Sequence, residues 1–148
     1  MIYIVIVLAI FLTDNKIKQY IEDNKVMHKS EKILNGNIIL ERYHNRGIML
    51  NFMQDNVQLV KIICTSLLGI LLIVFALVIP KKGNHLFKFA LSLLLGGAIS
   101  NVYDRFKRGY VVDYFSFKFL KKIVFNISDI CIFMGSFIIA LYSIIKKD

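Results

Sequence analysis

The 148-residue chain has no tryptophan, one proline and two cysteines, and only ten of its residues are acidic. Each scarcity excludes something. Cys64 and Cys131 both sit inside apolar runs, so they cannot staple a disulfide scaffold, and no Cys/His spacing suits zinc. No metal and no cofactor is expected. No Gly-x-Ser-x-Gly elbow, Cys–His constellation or Walker loop occurs, so serine and cysteine hydrolase chemistry and P-loop nucleotide chemistry fit less well. His28, His44 and His85 are scattered over the connecting segments, and there is no internal repeat or low-complexity tract. Without tryptophan, interfacial aromatics must be tyrosine and phenylalanine.

What is abundant is apolar: 57% of the chain, against roughly 45–50% for a soluble domain. The net charge of +9 then points to anionic lipid headgroups and membrane topology, and no nucleic-acid partner is expected. About 20 apolar residues are needed to cross the hydrocarbon core. Residues 57–79, 86–103 and 123–145 each supply about that length, and residues 1–12 are wholly apolar but shorter. The opening run has no positive n-region and no small-residue cleavage site, and neither cysteine follows a lipobox, so a retained helix continuing to about residue 20 is expected. The fold class expected is an all-α membrane protein: four transmembrane helices at about 1–20, 57–79, 86–105 and 123–145 in a single integral domain, 1–148. A small β-rich region at about 33–55 should lie on the membrane surface, because 37–44 is β-prone between the turn residues Asn35-Gly36 and Arg46-Gly47. The β-prone, aromatic segment 110–117 should lie at the interface.

Lysine and arginine give two answers on orientation. The two long connections and their flanks carry thirteen, against five around the short turn and the C-terminus. That count favours long connections inside, whereas the tight pairs Lys81-Lys82 and Lys146-Lys147 favour the other end.

Ionisable groups in spanning segments are costly, so each is a functional candidate. Asp14 and Lys18 share a helix face, as a local ion pair at the wet end of the first helix or as part of a site. Asn101, Asp104 and Arg105 share a face on the third helix, where Asp104 and Arg105 can form an ordinary interfacial pair; Gly96-Gly97, one turn deeper, permits close helix approach. Asn126 and Asp129 open the fourth helix, with Lys18, Arg105 or another carboxyl as partners for Asp129. Asp113 follows the third helix between Val111-Val112 and Tyr114-Phe115. If the segment folds back, Asp113 meets Asp129, and two carboxyls in contact share one proton. One then takes a proton from water while the other polarises a carbonyl. Two acids near helix ends are more often structural, and acids in the membrane also suggest a small proton-coupled carrier, although four spans with all polar groups at one end argue against a through-path.

Residues 95–105, LGGAISNVYDR, resemble the GGxxGNxxDR signature of bacterial lipoprotein signal peptidase, also called signal peptidase II. Residues 109–114, GYVVDY, resemble its GxVVDF element and residues 125–129, FNISD, its FNxAD element. Asp14 and Lys18 match its DxxxK element, and Asn45-Arg46-Gly47 its NxG element. The resemblance implies a four-helix aspartyl endopeptidase that removes the signal peptide from diacylglyceryl-modified prolipoproteins, cutting before the lipidated cysteine, without metal. It implies Asp113 and Asp129 as the catalytic pair. Asn101, Arg105 and Asn126 would orient the site, with Asp14, Lys18, Asn45 and Gly47 in support and Asp104 and Gly109 holding loop geometry. Its partners would be lipid-modified prolipoproteins and membrane lipids, and a monomer is expected. It implies a multi-pass protein of the bacterial cytoplasmic (inner) membrane, with cytoplasmic termini and the site and β-rich region at the extracytoplasmic face. Three departures stand out: Ser100 for glycine, Ser128 for alanine, where a hydroxyl can reach the pair, and bulky Ile48-Met49-Leu50 where small residues and an aromatic are usual. The last motivates an alternative, a non-catalytic paralogue that binds lipoproteins or lipids.

Overall fold

The computed structural model describes residues 1–48, 52–120 and 123–146. Four helices carry most of it: α1 (Ile2–Asn24), α2 (Val57–Val78), α3 (His85–Lys107) and α4 (Ile127–Ile145). Among the described residues α2, α3 and α4 are long and apolar enough to cross a membrane. α1 is as long as α3 but turns polar from Thr13 onward. α3 is the central helix: more than half of its apolar window is buried, whereas α2 and α4 bury little of theirs. Its contacts with α1, α2 and α4 leave the outer faces of those helices exposing Leu8, Ile70, Leu77, Phe137 and other large apolar side chains, as a lipid solvent permits.

Close backbone approach holds α3 to α4. A Cβ on Gly97 would lie 2.4 Å from the Ser128 carbonyl oxygen, and one on Gly135 would lie 2.5 Å from that of Ala90. Only glycine allows both contacts, so the two helices are fixed along their length. Gly96 faces the other way, against Val7 and Ile10 of α1. The expected close approach at Gly96-Gly97 therefore serves two neighbours at once.

At one end of the bundle lies a three-stranded antiparallel sheet in the order β1 (Glu31–Ile33), β2 (Ile38–Asn45), β3 (Val111–Phe117). Opposed pairs such as Tyr43↔Asp113, Leu40↔Phe115 and Ile38↔Phe117 share a face, with a register shift between Leu40 and Tyr43. The neighbours of Asp113 point the other way: Val112 and Tyr114 form a small core with Ile21 of α1. Gly109, at φ +82°, makes the turn from α3 into β3.

Several boundaries differ from expectation. The fourth helix begins at Ile127 rather than near 123, because Phe125 is paired to Phe115 across the edge of β3 and Asn126 is the helix cap. The third helix runs on to Lys107 and the first to Asn24. Within the expected β-rich region 33–55, strand structure stops at Asn45; residues 52–55 form a turn, and Met49, Leu50 and Asn51 lie outside the described residues. The aromatic segment 110–117 supplies the third strand.

Candidate active site

The start of α4 is built by its own sequence. Asparagine is among the strongest N-caps and an acid three residues later completes a capping box. Asn126 Oδ1 accepts from the Asp129 N–H at 2.8 Å, and Asp129 Oδ2 accepts from the Asn126 N–H at 3.2 Å. That fixes the Asp129 carboxylate at a helix N-terminus, facing the end of α3. There Asn101 Nδ2 donates to Asp129 Oδ1 at 2.8 Å.

Asp113 comes from the sheet. Strand alternation turns it away from the α1 core and toward the same two helix ends. Asn126 Nδ2 donates to Asp113 Oδ1 at 2.7 Å, and Asn45 Nδ2 donates to Oδ2 at 3.1 Å. The Asn126 amide also lies 3.2 Å from Asn101 Oδ1. Asn101 and Asn126 thus join the two carboxyls through one amide relay. Asp113 is 1% exposed, whereas Asp129 is partly open. Burial, and second the negative charge of Asp129, push the Asp113 carboxyl well above the usual carboxylate range. A buried carboxyl that keeps its proton beside one that meets solvent suits a shared-proton pair activating water.

Immediately beneath lies a second cluster. Lys18 Nζ contacts Asp14 Oδ2 at 2.8 Å and Asp104 Oδ2 at 3.2 Å, and donates to Asn101 Oδ1 at 2.9 Å and Ser100 Oγ at 3.2 Å. Asp14 and Lys18 are both fully buried, so they are not a local pair at a wet helix end. Asp14 also accepts from Ser128 Oγ at 2.5 Å, Ser100 Oγ at 2.7 Å and Tyr114 Oη at 2.9 Å. Asp104 accepts from the Val112 N–H at 3.2 Å and pairs with Arg108.

Two expected pairings fail here. Asp104 and Arg105 do not pair with each other, because adjacent residues on a helix point about 100° apart. Arg105 instead donates to the carbonyls of Asn101 at 3.1 Å and Gly47 at 2.7 Å. It therefore pins the turn after β2, where the Gly47 N–H also donates to Asn45 Oδ1 at 3.0 Å. Nor does Asp129 meet Lys18 or Arg105; among the described residues its partners are neutral amides. The Ser128 hydroxyl goes to Asp14 rather than to the carboxyl pair. Sequence reasoning passed over Tyr114, whose hydroxyl joins Asp14 to the Ile127 N–H at 3.0 Å. Its one signal was a phenol on the α1-facing side of the strand. No group of three or more His, Cys, Asp or Glu side chains suited to a metal occurs among the described residues.

The comparisons with known proteins agree in one direction. The family model described as signal peptidase (SPase) II matches residues 6–145. A lipoprotein signal peptidase of Lactobacillus gasseri is 30% identical over 147 residues, covering 99% of this chain and 94% of that protein. One of Caldicellulosiruptor bescii is 32% identical, covering 99% and 93%. A solved structure described as a bacterial membrane enzyme, obtained by the in meso method at 2.3 Å, superposes with a TM-score of 0.86 at 22% identity, covering 99% of this chain and 89% of that one; it bears on the fold alone. With the family model and full-length relatives both matched across nearly all of its residues, the chain belongs to the signal peptidase II family.

Proposed function

We propose that this chain is an aspartyl endopeptidase of the bacterial cytoplasmic membrane, which removes the signal peptide from diacylglyceryl-modified prolipoproteins just before the lipidated cysteine. The family and its relatives' names carry the peptidase activity and the prolipoprotein substrate, and they favour cleavage over the non-catalytic alternative. The aspartyl mechanism rests on one observation: Asp113 and Asp129 converge on a single amide relay with no cation paired to either among the described residues.

In this reading the pair shares one proton. The ionised carboxyl takes a proton from water, and the oxygen attacks the scissile carbonyl carbon. The protonated carboxyl donates to the carbonyl oxygen. Collapse of the tetrahedral species breaks the C–N bond, returns a proton to the leaving amine of the cysteine residue and leaves a new carboxylate on the signal peptide. Asn45, Asn101 and Asn126 hold the carboxyls, Arg105 fixes Gly47, and Asp14, Lys18 and Asp104 support α1 and α3 beneath.

The place of the site supports the substrate. The acyl chains belong in the bilayer and the scissile bond must meet water, and a pair at the helix ends serves both. α1 is read as the fourth span, its apolar half in lipid and its polar half at the interface, with the sheet at the extracytoplasmic face and the chain acting as a monomer. The test is cleavage of a diacylglyceryl-modified prolipoprotein by purified protein in detergent, followed by mass. Asp113→Asn and Asp129→Asn should each lower the rate by about 10²–10⁴-fold or more while the protein still inserts. Parent-like rates in either variant refute the aspartyl mechanism.

A further inference from the structure

The face of the sheet that carries Asp113 continues along β3 to Phe115 and Phe117 and ends in a pocket of about 650 Å³ lined by Leu34, Asn37, Ile38, Phe117, Lys118 and Phe119. The tip around it is unusual for a surface. Phe119 is 79% exposed and Leu34 68%. Leu34 sits at φ +49°, a left-handed conformation that costs a bulky side chain free energy while leaving it mostly exposed. The two strand ends are locked together by the Lys118 N–H on the Asn37 carbonyl at 3.0 Å. Phe117 stacks on Phe119 at 5.5 Å and touches Phe125 at 6.1 Å, so an aromatic ladder runs from the pocket to the residue just before the α4 cap. α4 is one of the membrane-length helices, which sets the ladder at the level of its end.

The charge around the tip has one sign. The described segments 25–38 and 115–120 contain four lysines and a single acid, Glu31. Lys25 already neutralises Glu31 at 2.7 Å. Lys32 lies along the Gly36 turn, and Lys118 lines the pocket itself. Exposed apolar side chains beside Lys32 and Lys118, which have no carboxylate partner among the described residues, at the end of a spanning helix, match an anionic phospholipid: phosphate on lysine, glycerol and upper acyl chain against Leu34, Phe117 and Phe119.

We propose that this pocket binds an anionic phospholipid of the surrounding leaflet and seats the tip of the sheet in the bilayer. The inference stands on the membrane reading and is independent of the peptidase chemistry. The absence of tryptophan provides the probe: Phe119→Trp introduces the one indole in the chain. The full-length variant is reconstituted in phosphatidylcholine vesicles containing a small, equal fraction of either brominated phosphatidylglycerol or brominated phosphatidylcholine. The expected result is blue-shifted emission, quenched about fivefold more effectively by the brominated phosphatidylglycerol, the factor that about 1 kcal/mol per lysine provides. Adding Lys118→Gln should remove most of that preference, as should high salt. Leu34→Trp reports from the opposite wall and guards against a local defect in the first variant. Water-like emission without quenching in both indole variants overturns the proposal, as does equal quenching by the two lipids. Release of quenching by an unlipidated peptide of the mature lipoprotein N-terminus overturns it as well, by giving the pocket to substrate.

Discussion

Two buried polar clusters lie side by side in this molecule and share Asn101, yet they are made differently. In the lower one, Asp14, Lys18, Asp104 and Arg108 balance two negative charges against two positive, and Ser100, Ser128 and Tyr114 fill the remaining acceptor positions on Asp14. In the upper one, Asp113 and Asp129 are met by neutral amides alone among the described residues. Desolvated charges with a partner are held ionised and inert; desolvated carboxyls given only dipoles retain a reason to hold a proton. Under the proposed mechanism, the difference separates a brace from a reactive pair. Lys18, close to both, is turned toward Asp14 and Asp104, and under the proposed mechanism a direct ion pair with Asp129 would disable it as a base.

The most severe way to break the contrast is to strip the lower cluster of its cation. Lys18→Met leaves Asp14 buried without its ion pair, and removing one partner of a buried pair costs about 3–5 kcal/mol. Thermal unfolding in detergent should show a large loss of stability, with cleavage falling because folded protein is lost. Next comes a change confined to the upper cluster. The proton on Asp113 is held above the ordinary range, so its contribution to stability is fully present below the usual carboxylate value and lost as pH rises through the raised one. Asp129→Asn removes a like charge, and the protonated carboxyl band of Asp113 in infrared difference spectra should disappear at lower pH than in the parent. An unmoved band would show that burial alone sets it. The mildest test trims the brace without unbalancing it. Ser128→Ala removes one of several hydrogen bonds to Asp14 and should cost about 1–2 kcal/mol in unfolding measurements while the Asp113 titration stays in place.

How much of this was legible varies with the distance over which the information acts. Apolar runs in 57–79 and 86–103 marked helices because membrane solvent constrains every residue of a span. β-Prone composition in 37–44 and 110–117 marked extended segments, but not that they pair with each other, since register is settled by contacts between segments some 70 residues apart. The helix start at Ile127 was misplaced because Ile123, Val124 and Phe125 are apolar enough for a helix; the pairing of Phe125 to β3 and the cap at Asn126 hold them out of it. Motif spacing singled out Asp14, Lys18, Asn45, Gly47, Asn101, Asp104, Arg105, Asp113, Asn126 and Asp129, and the structure gathers all ten at one end of the bundle. Spacing did not reveal which acid meets which cation, because Arg105 and Lys18 are long enough to reach several partners and the backbone carbonyl of Gly47 leaves no trace in sequence. Tyr114 escaped notice, and the Ser128 hydroxyl was expected at the carboxyl pair rather than on Asp14, for a similar reason: their importance lies in what they touch.

The capping box at Asn126 and Asp129 gives the chemistry a mechanical readout. In the proposed mechanism Asp129 is one of the two carboxyls that exchange a proton, and its Oδ2 also clasps the Asn126 N–H that starts α4. An ionised clasp is a strong acceptor and a neutral one is weaker, so on that proposal the first turn of the helix would loosen and tighten as Asp129 gains and loses its proton. Amide exchange at Asn126 is therefore a gauge of the charge on Asp129, legible in the resting protein without substrate.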